Sequence, residues 1–304
     1  MSSSQCPNCG AAVTLPSGVI SGACVFCESP LVAGQAQGEQ PDLVAPFVLG
    51  KDAAAQRLSS FLQGQWLAPA SVRASRNPNK LRGVLVPFWA YDAAARSRWD
   101  GNIGVYWYRT ETYTVTVTRD GKTVTETRTR QVRETEWFPT HGTHAASYTG
   151  HLVSGSQGLP EGEANALEPF DLGSALPYSP ALLAGWVAES PTIAGAQAES
   201  VAQTELGQAE QRAVMRFLPG NTARGVQVQS DIAVTGVRLA LLPVWIATYS
   251  WGGDVQRLLV NGQTGEVVGS VPKAWFKVAA LVVAGLFAAL IAVVFILAVV
   301  GLAQ

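Results

Sequence analysis

Val237-Arg238-Leu239-Ala240-Leu241-Leu242-Pro243-Val244-Trp245-Ile246-Ala247-Thr248-Tyr249 is an apolar run that meets a proline and, two residues later, a tryptophan. Its density of apolar, β-branched and aromatic side chains predicts a strand buried against a core. The same plan stands earlier, where Leu81-Arg82-Gly83-Val84-Leu85-Val86 leads into Pro87-Phe88-Trp89-Ala90-Tyr91. A helical pattern precedes each: 51–63, with Ala54, Leu58, Phe61 and Leu62 at helical spacing, and 194–218. Helix, strand and Pro-x-Trp in both halves predict an internal duplication of a helix-plus-antiparallel-sheet unit, with repeats over 47–137 and 178–272.

Between the two copies, 107–119 and 122–137 flank Asp120-Gly121, the dipeptide preferred in two-residue hairpin turns. Closing the turn there sets Val117 opposite Val124, Tyr113 opposite Arg128 and Glu111 opposite Arg130, and gives the other face a ladder of threonines. Neither face is strongly apolar. The ribbon is therefore expected to project from the domain or to cover a sheet edge, as a candidate docking arm.

Cysteine usage is concentrated at the start of the chain, as Cys6-Pro7-Asn8-Cys9-Gly10 and Cys24-Val25-Phe26-Cys27-Glu28. Two residues between thiolates let the backbone turn beneath one metal ion, and two such turns complete a tetrahedral set. The expected ligands are Cys6, Cys9, Cys24 and Cys27 around a structural Zn2+. All four positions are then filled by protein, leaving none for a catalytic water. A redox C-x-x-C is disfavoured because no βαβ pattern surrounds it, and a disulfide pair by the reducing compartment expected of a cytoplasmic chain.

Residues 278–303 form a run without a charged, Asn, Gln or Pro side chain, preceded by Lys273, Trp275, Phe276 and Lys277. At about 1.5 Å per residue this run predicts a transmembrane helix. The polar start of the chain contains no signal-peptide pattern, so the expectation is a tail-anchored, single-pass protein of the bacterial plasma (inner) membrane, bulk of the chain cytoplasmic. The expected organisation is a zinc ribbon over 1–32, a flexible linker over 33–42, a soluble α+β domain over 43–272 and a transmembrane helix over 276–303. The fold class is thus α+β: a zinc ribbon, a β-rich soluble domain with internal duplication, and one C-terminal membrane helix.

The formal net charge is -1 but its sign is uneven: twelve Lys/Arg face five Asp/Glu over 71–133, and five face thirteen over 134–272. Mutual compensation is the favoured reading; the alternative is a basic surface for anionic lipid or nucleic acid. Gly121-Lys122-Thr123 does not make a phosphate loop, because position 116 is Thr where the first glycine is required. His141, His144 and His151 lie in a Gly-containing segment read as a surface loop with no close carboxylate. No G-x-S-x-G, H-E-x-x-H or G-x-G-x-x-G occurs, so no catalytic or cofactor-binding residue is assigned.

The Cys6–Gly10 knuckle, Val86-Pro87-Phe88-Trp89, Pro177-Tyr178-Ser179-Pro180 with Gly185-Trp186, Leu242-Pro243-Val244-Trp245 and Asn261-Gly262-Gln263-Thr264-Gly265 together resemble bacterial zinc-ribbon, C-terminally membrane-anchored proteins. Genes of that family neighbour those of SPFH/flotillin-like and PspA-type proteins, and its members are often labelled primosomal protein N′ or helicase-related. The segment 257–269 is similar to the hairpin of PepSY-type modules, which implies fold and not activity. The resemblance implies the four cysteines as zinc ligands and no catalytic residue. The expected anchor, the closed metal site and the absent catalytic motifs point to a non-enzymatic adaptor or scaffold, with SPFH- or PspA-type protein partners and no small-molecule substrate. The alternative is a nucleic-acid-binding accessory using the ribbon and the basic residues Arg73, Arg76, Lys80 and Arg82.

Overall fold

The computed structural model describes residues 2–6, 8–9, 12–15, 18–24, 27, 29–32, 39–73, 81–119, 122–251 and 254–301. In chain order the elements are β1 (Ser2–Gln5), β2 (Ala12–Leu15), β3 (Val19–Ala23), β4 (Pro30–Val32), β5 (Leu43–Val44), α1 (Lys51–Gly64) and α2 (Ala70–Arg73). Two long strands follow, β6 (Arg82–Arg119) and β7 (Lys122–Ser154), then α3 (Glu161–Leu167), β8 (Leu176–Pro177), β9 (Val187–Glu189) and α4 (Gly195–Phe217). β10 (Thr222–Trp251), β11 (Asp254–Asn261), β12 (Val267–Val268) and α5 (Trp275–Gly301) complete the chain. The principal sheet runs β12-β11-β10-β6-β9-β3-β4, with β7 on β6 and β5 on β10.

The chain divides into two compact units, Met1–Ala90 with Leu152–Ala198 and Arg238–Gln304, and Tyr91–His151 with Glu199–Val237. In the first, alternation along β6 and β10 gives the sheet two buried faces. Val86, Phe88, Leu242 and Val244 face Leu167 and Phe170, whereas Trp245, Ala247 and Tyr249 face Ala54, Leu58 and Leu62 of α1. Those α1 residues recur every four positions, so one helical stripe enters the core, with Ala55 and Phe61 partly buried beside it.

Two sets of contacts repeat in this unit. Trp245 Nε1 donates to the Leu49 carbonyl at 2.9 Å, and Trp89 Nε1 donates to that of Ile193 at 3.0 Å. Each acceptor lies two residues before a helix, α1 or α4. Gly262 N–H donates to the Pro243 carbonyl and Gly155 N–H to that of Pro87. The carbonyl of Gly262 accepts from Val48 and Leu49, and that of Gly155 from Thr192 and Ile193. The segments carrying these glycines match, Leu152-Val153-Ser154-Gly155 against Leu259-Val260-Asn261-Gly262. The equivalence couples the start of α1 to β10 and the start of α4 to β6, so neither helix is latched to the strand that next follows it in the chain.

In the second unit, one stripe of α4 is buried at Ala202, Leu206, Glu210 and Val214, and Tyr91, Ala93, Ala95, Ser97 and Trp99 of β6 are buried with it. Beyond these residues β6 and β7 continue as an exposed ribbon. Arg130 is bound to Glu111 at 2.7 Å and Gln131 to Thr110 at 3.0 Å, contacts that the register read from the sequence requires. Asp120 and Gly121, the expected turn, lie outside the described residues.

The C-terminal expectation is corrected. Among the described residues no helix is long and apolar enough to cross a membrane, which overturns the single transmembrane helix over 276–303 and, with it, the tail-anchored plasma-membrane location. α5 itself forms over Trp275–Gly301. Lys277, read as a membrane-flanking cation, instead donates from Nζ to the carbonyls of Trp66 and Ala68 at 2.7 and 2.9 Å.

Candidate metal centre

The two cysteine knuckles are brought together by short strands. β1 pairs antiparallel with β2, and β3 with β4, so Cys6 follows one strand and Cys24 another. Cys6, Cys24, Val13 and Leu31 form a small buried cluster. The four sulfurs lie within 4.8 Å of one another and could hold a metal ion. Cys6 Sγ is 3.6 Å from Cys27 Sγ, and Cys9 Sγ is 3.8 Å from Cys24 Sγ. Four sulfurs at about 2.3 Å from one ion in a tetrahedron are about 3.8 Å apart, whereas a disulfide requires about 2.05 Å. The donor set therefore has the spacing of a metal site.

Polar neighbours tune the cluster. The Asn8 side-chain amide donates to Ser29 Oγ at 2.8 Å and approaches Cys27 Sγ at 3.8 Å. Hydrogen bonds with the Ser29 side chain and backbone lower the Cys27 thiol to about 6, which favours the thiolate that a metal needs. The cluster is also tied into the principal sheet. β3 pairs antiparallel with β9, which in turn pairs in parallel with β6, and Ser21 Oγ donates to the Trp186 carbonyl at 2.8 Å.

The three histidines depart from the loop reading. All lie on β7, a strand, and two meet carboxylates that α4 supplies. His144 Nδ1 is 2.7 Å from Glu210 Oε1, and His151 Nε2 is 2.9 Å from Glu205 Oε2. The physical reason is long-range pairing: the acids lie more than fifty positions away in the chain, where local composition has no view of them. Glu210 is fully buried and also accepts from Ser97 Oγ and Tyr148 Oη, each at 2.7 Å. Burial alone would raise its carboxyl, but the Ser97, His144 and Tyr148 bonds outweigh it and hold the group below its ordinary value. Burial and the Glu210 bond push Tyr148 up to about 12. The signal for Glu210 was a lone acid at a core position of the stripe Ala198, Ala202, Leu206, Val214. His141 is exposed, and of the basic stretch Arg76 and Lys80 lie outside the described residues.

No family model matches the chain, and no solved structure matches it. It is similar to a Bacillus subtilis (strain 168) protein, "Uncharacterized protein YdjG", with 25% identity over 243 residues. The match covers 79% of this chain and 66% of the relative's length.

Proposed function

We propose that this chain is a non-enzymatic zinc-ribbon adaptor, in which four thiolates hold a structural Zn2+ and the ribbon docks protein partners of the SPFH/flotillin-like or PspA type. The observation that carries the reading is the sulfur geometry, 3.6 and 3.8 Å between thiols from opposite knuckles. A Zn2+ held by four thiolates has no site left for water, so its role is to fix the shape of a segment too small to hold a core of its own. Support for a docking role comes also from the β6–β7 arm, where Trp107, Tyr108 and Phe138 stand exposed. Aromatic residues of this kind dominate the centres of protein interfaces.

The test is recovery of partners from an extract of the producing cells by the full chain, beside a Cys24→Ser/Cys27→Ser variant, with metal content measured on both. The expected result is one Zn2+ per chain and recovery of SPFH- or PspA-type proteins, both lost in the variant. Undiminished recovery by a variant that binds no metal would remove the ribbon from the docking role.

A further inference from the structure

In the second unit, α4 and the beginning of β10 bound a groove of about 640 Å³. Arg212 and Arg216 line it from the helix and Arg224 from the strand, together with Gln208, Gln211 and Met215, and no carboxylate is among the lining residues. The Arg224 guanidinium lies over the Trp137 ring, 4.0 Å from its centroid, which orients it without neutralising it. Glu210, the nearest acid along α4, is buried and directed to Ser97, His144 and Tyr148. Three arginines therefore line one concavity with no carboxylate among its lining residues.

The spacing selects a ligand class. Arg212 and Arg216 are four apart, on one helical face and separated by about 6 Å along the axis. Same-face side chains of an extended peptide recur about every 6.6 Å. Carboxylates at alternate positions of such a peptide match the two arginines in register, with Arg224 opposite. Gln208 and Gln211 supply amide donors and acceptors suited to a peptide backbone, and Met215, 47% exposed, supplies an adaptable apolar contact. A single-stranded nucleic acid would need an aromatic platform for its bases, and no aromatic side chain is among the lining residues.

We propose that this groove binds an extended acidic segment of a partner protein, with carboxylates at alternate positions pairing to Arg212, Arg216 and Arg224. The site is distinct from the four-cysteine cluster, so its test is independent of the zinc reading.

The experiment is fluorescence anisotropy of the full chain with a short labelled peptide carrying Glu at every second position, beside its Lys counterpart. The Glu peptide binds, and more weakly as salt rises, while the Lys peptide does not. Arg212→Ala/Arg216→Ala weakens binding by about tenfold or more. Arg212→Glu/Arg216→Glu reverses the preference toward the Lys peptide, an outcome that misfolding cannot produce. Equal binding of both peptides, or unchanged affinity in the alanine variant with its circular dichroism intact, overturns the proposal. So does complete displacement by millimolar inorganic phosphate, which would mark a free-anion site, or tighter binding of a single-stranded oligonucleotide at the same groove.

Discussion

Trp245 Nε1 lies 2.9 Å from the carbonyl oxygen of Leu49, a residue 196 positions earlier, and this bond fixes the entry of α1 onto β10. Trp245 is buried, and its ring also packs edge-on against Phe47 and Trp186. Trp89 makes the equivalent bond to Ile193. Replacing either indole by Phe removes one buried donor and leaves a carbonyl without its partner, at a cost of about 1–3 kcal/mol. Urea unfolding of Trp245→Phe and Trp89→Phe should show comparable losses. A loss confined to one of the two would show that the repeated contacts are not energetically equivalent.

The two glycines that meet the prolines admit no side chain. A Cβ on Gly262 would lie 2.8 Å from both the Pro243 oxygen and the Phe47 ring, and one on Gly155 would lie 3.0 Å from the Pro87 oxygen. Gly262→Ala should therefore cost more than Gly155→Ala, both in the range of about 1–3 kcal/mol. Gly207, inside α4 with open space around its missing Cβ, is the opposite case. Gly207→Ala should stabilise the chain by about 1 kcal/mol, read as a higher denaturation midpoint.

The strands, the long hairpin and the four-cysteine cluster were legible in the sequence because their signals are local: Pro87 and Trp89, Pro243 and Trp245, Glu111 opposite Arg130, and paired C-x2-C knuckles. The partnership of α1 with β10 was not, because periodicity names the apolar stripe Ala54, Leu58 and Leu62 without naming what it covers. The same holds for His144, whose carboxylate comes from another element. The match of Leu152-Val153-Ser154-Gly155 to Leu259-Val260-Asn261-Gly262 was present in the sequence, and the two segments make matching backbone hydrogen bonds. Apolar composition at 278–303 was the signal behind the expected membrane span, which the described part of α5 does not support.

Glu210 gives the second unit a pH dependence. Its folded value is depressed below the unfolded one, so the stability it contributes is fully present above about 4.3 and is lost as pH falls through the folded value. Glu210→Gln should be less stable than the parent at pH 7 by about 1–3 kcal/mol, and the gap should close in acid. Denaturation at pH 7 and at pH 3.5 checks the sign. A gap that widens in acid would mean that the carboxylate is not the stabilising form.

Metal removal supplies a further test. Titration of the metal-free chain with Co2+ should give the absorption of a tetrahedral thiolate site and saturate at one equivalent, and Cys24→Ser should abolish it. Binding should weaken in acid, because each thiolate that regains its proton is lost to the metal. Because β3 is paired to β9, chelation should also lower the thermal midpoint of the first unit, followed by circular dichroism. A midpoint unchanged by chelation would show that the ribbon unfolds separately from the sheet.

The exchange of helices has a consequence for the order in which the chain can fold. α1 leaves the ribosome nearly two hundred residues before the tryptophan that holds its entry, whereas α4 follows its own by about one hundred. Until β10 and β11 are made, Leu58 and Leu62 lack the strand residues Trp245, Ala247, Tyr249, Leu258 and Val260 of their cluster, and the early half is a species with an incompletely covered apolar stripe. Closure of the first unit is thus a late event of high contact order, set by synthesis of the C-terminal strands. A chain released before residue 262 would lack the glycine carbonyl to which Val48 and Leu49 attach, so truncation near the C-terminus would be felt first at the beginning of α1.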